Sequence, residues 1–233
     1  QRQMCIRDSV WSILNPLLMM LLQTLVFSYM FRFQIENFPL YLICGNTLFN
    51  FFNESTNMGM GSVLGNSSLI KKVYVPKFIF PISRVVSSFV NLLFSLAAII
   101  LVMLITRSPF HLTILLVWAP LVLLFLFTCG IALLLSALAV YFRDLQYLYS
   151  IVTMAWMYAT PLFYPISALP PFMVAIVKLN PLYHYINCMR CLVMYGTVPG
   201  PNTWFACIVC AVGVMVVGLA AFRKLQRNFI LYL

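Results

Sequence analysis

The feature that most constrains this chain is a series of apolar runs too long to belong to a soluble core. The stretch LLVWAPLVLLFLF lies inside one such run, Leu112–Val140, and Phe78–Ile105 forms another. A helix needs about 20 apolar residues to cross a bilayer. In hydrocarbon every backbone N–H and C=O must find a partner within the protein, which leaves helices or closed barrels. Runs of this length and apolarity specify helices. The whole chain agrees: 64% of its 233 residues are hydrophobic and 8% are charged, against about a quarter charged in a soluble domain. The expected fold class is all-α, a polytopic membrane protein with six transmembrane helices.

The net charge of +10 does not point to nucleic acid. The basic residues are neither gathered on one soluble face nor interleaved with an aromatic platform. They sit at the ends of apolar runs, as membrane topology requires. Four of the seven cysteines form two CxxC pairs, Cys188/Cys191 and Cys207/Cys210. A zinc site needs such pairs in a polar context with closing ligands. Cys207 and Cys210 instead fall in an apolar helix, where cysteine behaves as a small hydrophobe. Cys188 and Cys191 are expected near the outer surface, where they could pair. No metal site is expected.

The opening residues Gln1–Ser9, QRQMCIRDS, do not join smoothly to the following span. They are read as adapter-derived, non-native sequence standing in for a missing natural start, and are set aside from functional reasoning. A single transmembrane domain is expected over 10–233. The first span covers about Val10–Phe31, with Trp11 at the interface and Pro16 tolerable in the first turns. The second, about Leu40–Met60, is unusual. Asn46, Asn50, Asn53 and Asn57 fall on one helical face by the i, i+3, i+4 rule, and that face cannot point at lipid tails. Glu54 is the one carboxylate inside an expected span, a functional position by default; a structural hydrogen bond to a neighbouring helix is the plainer alternative.

Next comes NSSLIKKVYVPKFIFP, Asn66–Pro81, a basic and partly amphipathic segment between two spans. It must face water, and its Lys71, Lys72 and Lys77 say which side. The third span starts at about Phe78, with Arg84 able to snorkel back to the interface. Leu112–Val140 is the fourth. Its small residues Gly130, Ala132, Ser136 and Ala139 permit close helix approach, and it ends at the polar turn Arg143–Asp144. Tyr147–Tyr164 is the fifth, rich in aromatics. Five prolines, Pro161, Pro165, Pro170, Pro171 and Pro181, forbid a continuous span after it. Short re-entrant or outer-side helices such as Phe172–Leu179 are expected there. The sixth is Thr203–Phe222.

Eight basic residues (Lys71, Lys72, Lys77, Arg84, Arg143, Arg223, Lys224 and Arg227) fall on one side of this arrangement, and four (Arg32, Arg107, Lys178 and Arg190) on the other. The positive-inside rule assigns the eight, and both termini, to the cytoplasm.

No enzyme chemistry is legible. There is no phosphate loop, no carboxylate pair and no spaced histidine set. His111 and His184 stand apart, as interfacial polar residues do. The sequons at Asn53 and Asn66 fall in a span and a cytoplasmic loop, where glycosylation is not expected.

GNSSLIKKVYVPKFIFPISRVVSSFVNLLFS resembles the segment after the second span in type-2 ABC exporter permeases of the polysaccharide and polyol-phosphate class. YFRDLQYLY, YATPLFYPIS and KLNPLYHYI resemble that family's later landmarks, in order. The resemblance covers essentially Trp11–Leu233; the amphipathic helix that normally precedes the first span is absent. It implies a homodimer in a bacterial cytoplasmic membrane, carrying separate ATPase subunits that hold ATP and Mg, with no cofactor on this chain. It also implies that Asn66–Lys77 contains a cytoplasmic coupling helix seated in a groove of the ATPase. Leu69, Ile70, Val73 and Tyr74 are suited to anchoring in a pocket while Lys71 and Lys72 steer; Asn66, Pro76, Lys77, Arg143 and Asp144 complete the expected coupling surface. A plain basic topology determinant is the alternative.

The implied cargo is a lipid-linked glycan such as an O-antigen, teichoic acid or capsule polymer. Aromatic rings stack on sugar faces, so Phe27, Tyr29, Phe31, Trp156, Tyr158 and Tyr164 are candidate channel residues, with Glu54 at a gate. Aromatics also build ordinary interfacial belts. Two other classes remain open at this stage. A membrane-embedded transferase would need a clustered carboxylate or histidine set. An ion-coupled secondary transporter would need internal inverted repeats. Small-molecule export by the same fold is a third possibility.

Overall fold

The computed structural model describes residues 13–26, 37–72, 75–142, 144–226 and Phe229, and every regular element among them is helical. Helix α1 is Ile13–Val26. It is followed by α2 (Phe38–Gly65), α3 (Ser67–Lys72), α4 (Ile79–Ile105) and, after a 3-10 turn at Leu112–Val117, α5 (Trp118–Tyr141). Then come α6 (Leu145–Ala159), α7 (Pro171–Leu179), α8 (Pro181–Val193) and α9 (Pro201–Leu225).

Among the described residues three stretches are long and apolar enough to cross a membrane: Ile79–Ile105, Leu112–Tyr141 and Pro201–Leu225, with mean hydropathy of 2.6, 2.7 and 2.7. These match the expected third, fourth and sixth spans to within a few residues. The chain is therefore a multi-pass helical membrane protein. The other expected crossings differ. Helix α2 has 28 residues and begins and ends outside the expected Leu40–Met60, but its asparagines and Glu54 lower its hydropathy. Helix α6 has 15 residues, not the expected Tyr147–Tyr164. It stops because Pro161 cannot donate a helical N–H and disfavours the helical conformation of Thr160 before it.

Helix α5 is the centre of the bundle, packed along α9, α2 and α4. Small residues bring the backbones together, as the sequence predicts. A Cβ placed on Gly130 would lie 2.6 Å from the Val214 carbonyl carbon of α9, and one on Gly218 would collide with the Gly130 carbonyl. On the other side, a Cβ on Gly59 would lie 2.8 Å from the Ala132 methyl. Between these crossings is an aromatic core. Phe52 of α2 has its ring centre 5.9 Å from Phe127 of α5 and 5.2 Å from Trp156 of α6. The outer faces of α4 and α9 stay apolar and exposed, with Val90, Phe94 and Leu104 on one and Phe205, Val212 and Val216 on the other. This is the surface a helix presents to lipid tails.

The broken segment forms the short helices α7 and α8, at the end of the bundle where α4 finishes. Thr113 donates to the Leu192 carbonyl at 2.8 Å, and the His111 ring covers Gly196, whose φ of 60° suits glycine alone. His111 is thus a packing residue. Asn180 organises the α7–α8 joint. Its Oδ1 accepts from Trp156 Nε1 at 2.8 Å and from Leu182 N at 3.1 Å, capping α8, while its Nδ2 donates to Thr160 Oγ1 at 2.8 Å. One expectation fails here. Cys188 is not near the surface: it is fully buried, and its Sγ lies 3.9 Å from Cys207 Sγ of α9. Its helix turns that face inward.

Candidate functional site

Helix α2 connects three polar sites, one at each end and one midway. At its C-terminus Asn66 stops the helix and starts the next. Its N–H reaches the Val63 carbonyl, its side-chain amide donates to Ser62 O at 2.7 Å, and its own carbonyl accepts from Leu69 and Ile70. One residue thus separates α2 from α3, leaving no slack between them. Of the expected coupling residues on α3, Ile70 is buried, packed with Val63, Leu133, Ala137, Val140, Phe222 and Phe229. It ties α3 to the bundle. Leu69, Lys71 and Lys72 are exposed.

Lys77 turns towards α9. Its Nζ donates to the Gln226 carbonyl at 3.0 Å and lies 5.4 Å from the centre of the Phe229 ring. Burial pushes the Lys77 ammonium below the usual lysine range. Tyr141, at the end of α5, donates to Leu225 O at 2.9 Å, so the α5–α6 turn with exposed Asp144 shares this end. The structure therefore gathers Asn66, Leu69, Lys71, Lys72, Pro76, Lys77 and Asp144 at one end. Val73, Tyr74 and Arg143 lie outside the described residues.

Midway along α2 is a polar cavity of about 320 Å³ between α1, α2 and α4. Glu54 is its only carboxylate among the described residues, with Asn15, Asn50, Asn91 and Ser95 around it. Glu54 Oε1 accepts from Ser88 Oγ at 3.4 Å and from Asn91 Nδ2 at 3.5 Å, both at the long end of hydrogen-bond range. The expected asparagine face is used in parts. Asn46 donates to Gln23 of α1, Asn57 donates to the Asn53 side chain at 2.8 Å, and Asn50 faces the cavity. Ser88, Asn91 and Ser95 were not singled out in the sequence. Their i, i+3, i+7 spacing on a third span was the available signal.

The expected channel aromatics do not assemble around Glu54. Phe27, Tyr29 and Phe31 lie outside the described residues. Trp156 packs inward on Phe52, Tyr158 points outward at 63% exposure, and the Tyr164 hydroxyl donates to the Tyr158 carbonyl at 2.7 Å. None of the three lines the Glu54 cavity.

At the N-terminal end of α2 is a residue the sequence had assigned to the topology count. Arg190 of α8 is buried at 5% exposure. It donates through Nη1 to Pro161 O at 2.8 Å, and through Nη2 to Leu162 O at 3.1 Å and Tyr41 O at 3.3 Å. No carboxylate pairs with it among the described residues. The cation is held by carbonyl dipoles and by the face of the Tyr41 ring, and it fastens the irregular Pro161–Leu162 turn to α2.

No group of three or more histidine, cysteine, aspartate or glutamate side chains converges on a metal position among the described residues. The arrangement suits mechanical transmission between its ends, with a polar cavity between them.

Comparison with known proteins gives a consistent picture. The model of the ABC-2 type transporter family matches residues 2–194. Two curated O-antigen export system permease proteins of Klebsiella pneumoniae are 31% and 32% identical over 225 residues, covering 94% of this chain and 85% of each relative. A third, from Myxococcus xanthus, is 27% identical over 226 residues, with the same coverage.

Proposed function

The chain belongs to the ABC-2 type transporter family, and from that premise we propose that it is the membrane-spanning permease of an ATP-driven exporter of lipid-linked polysaccharide. Its similarity to O-antigen export permeases along 94% of its length supports this cargo class over small-molecule export. The working unit is a homodimer in the bacterial cytoplasmic membrane. Each copy contacts a separate ATP-binding subunit that holds ATP and Mg; the relatives are permeases by name, and catalysis lies on that partner.

The observation that carries the mechanism is the direct join of α3 to α2. The exposed Leu69, Lys71 and Lys72 form the face offered to the ATPase, while Ile70 anchors the same short helix in the permease core. Closure of the ATPase on ATP pushes α3, and with one intervening residue the push passes into α2. That helix is about 42 Å long at 1.5 Å per residue. Rigid-body displacement of a packed helix is a common way to move a gate. Moving α2 shifts the Glu54 cavity midway, and at the far end shifts the Pro161–Leu162 turn through Tyr41 and Arg190. Glu54 then belongs to a polar gate opposite α4. Trp156 acts as a packing residue beside that path, and Tyr158 and Tyr164 belong to its outer rim.

Co-purification of the permease with its ATPase tests the reading. Wild type should bring down an ATP-binding subunit, and Leu69→Ala combined with Lys71→Glu and Lys72→Glu should lose it while the permease itself stays folded. If that variant retains the ATPase and full transport, α3 is not the coupling element.

A further inference from the structure

The basic end of the bundle carries a second feature that transmission does not use. Between the start of α4 and the end of α9 lies a cavity of about 550 Å³, walled by Phe78, Ile82, Leu219 and Phe222, with Lys77 and Arg223 among its lining residues. Neither cation has an ion pair among the described residues. Lys77 spends one N–H on the Gln226 carbonyl, which leaves two of the three donors of an ammonium available. The cavity lies between the ends of two helices whose outer faces are apolar, and Phe78 in its wall is 41% exposed. A soluble anion would need a polar enclosure. This site has cations on an apolar wall that continues into the lipid-facing surface.

We propose that this cavity seats the headgroup of an anionic membrane phospholipid. Lys77 and Arg223 hold its phosphate, and Phe78, Ile82 and Leu219 pack against the first carbons of its acyl chains. Basic pockets between helix ends at the cytoplasmic surface are suited to such headgroups, because the two cations act at the depth of the phosphate layer. Lipid binding here braces α4 against α9 beside the Lys77–Gln226 contact, and does so whatever the cargo.

The test uses the full chain purified in detergent and titrated with phosphatidylglycerol, with phosphatidylcholine, and with inorganic phosphate, followed by native mass spectrometry. Wild type should retain phosphatidylglycerol in preference to phosphatidylcholine and should retain no inorganic phosphate. Each basic side chain near an anionic surface contributes about fivefold to affinity, so Lys77→Gln with Arg223→Gln should weaken retention roughly 25-fold. Arg223→Gln alone, at an exposed position that folding does not need, should weaken it about fivefold by the same reasoning. Arg107→Gln with Lys178→Gln removes the same charge at the opposite end and should change nothing. Equal retention by wild type and both Arg223 variants overturns the proposal, as does equal loss in the control. If inorganic phosphate is retained and competes with the lipid, the site is one for free phosphate and the lipid assignment fails.

Discussion

The guanidinium carbon of Arg190 lies 3.4 Å from the centre of the Tyr41 ring, so a buried cation rests on an aromatic face where a carboxylate would be expected. The Tyr41 hydroxyl in turn donates to the Tyr164 carbonyl at 2.9 Å. The two residues are 149 positions apart in sequence, yet together they fasten α8, the Pro161–Leu162 turn and α2.

Arg190→Lys should be strongly destabilising, because one ammonium cannot bridge three carbonyls and also stack on the ring. Arg190→Ala leaves the Pro161, Leu162 and Tyr41 carbonyls without this donor, and an unsatisfied buried acceptor costs about 1–3 kcal/mol, so the variant should lose at least that much. Thermal unfolding in detergent would measure it. Tyr41→Phe keeps the ring and should cost only about 0.6–1.7 kcal/mol, the scale of one hydrogen bond within a membrane protein.

Where Gly130 of α5 crosses Gly218 of α9 there is no room for a side chain. Gly218→Leu or Gly130→Leu should prevent the bundle from packing, at a cost of several kcal/mol in the manner of an overfilled core. Gly213, on the same α9, faces open space: a Cβ added there would meet no atom within 4 Å. Gly213→Ala should be neutral or stabilise by up to about 1 kcal/mol through helix propensity. Equal effects at Gly213 and Gly218 would show that the close approach is not what matters.

Asn180→Ala removes the cap of α8 and leaves Trp156 Nε1 and the Leu182 N–H without their acceptor. An N-cap alone accounts for about 1 kcal/mol, and an unsatisfied buried donor for about 1–3 more. Limited proteolysis should find the 160–180 segment cut earlier in this variant, with α4 and α5 unaffected.

Glu54→Gln keeps the size of the side chain and its acceptor oxygen but removes the charge from the cavity. Transport should fall while the ATP-binding subunit still co-purifies, because the proposed coupling face lies beyond the C-terminal end of α2, away from the cavity. Full transport by this variant would remove Glu54 from the gate.

The asparagine face of α2 shows how far the sequence could be read. Helical spacing alone put Asn46, Asn50, Asn53 and Asn57 together and away from lipid. It could not separate their fates: one bonds to α1, two bond to each other, and one faces a cavity. The α3 segment was legible as a basic break between apolar runs, but the burial of Ile70 beside exposed Leu69 was not. Arg190 was counted as a surface charge because its neighbours in sequence give no sign of burial. Spacing left open whether Cys188 pairs with Cys191, three residues on; in the structure its Sγ instead lies beside Cys207 across the joint with α9.

What the sequence by itself determined was the solvent of this protein and the order of its parts. Uncharged runs of more than twenty residues have no water-soluble fold, and a polar break between them must return to water. A proline just past a helix's last turn stops it, as Pro161 does, while one in the first turn is tolerated. These are local consequences of hydropathy and backbone chemistry. Only the tertiary structure decided which polar residues meet. A helix turns through 100° per residue, so one small rotation against its neighbours sends a side chain to lipid, to core or to a cavity. That rotation is set by close packing at Gly130–Gly218 and Gly59–Ala132, between residues far apart in the chain. The same packing brings Arg190 under Tyr41, and Lys77 beside the end of α9.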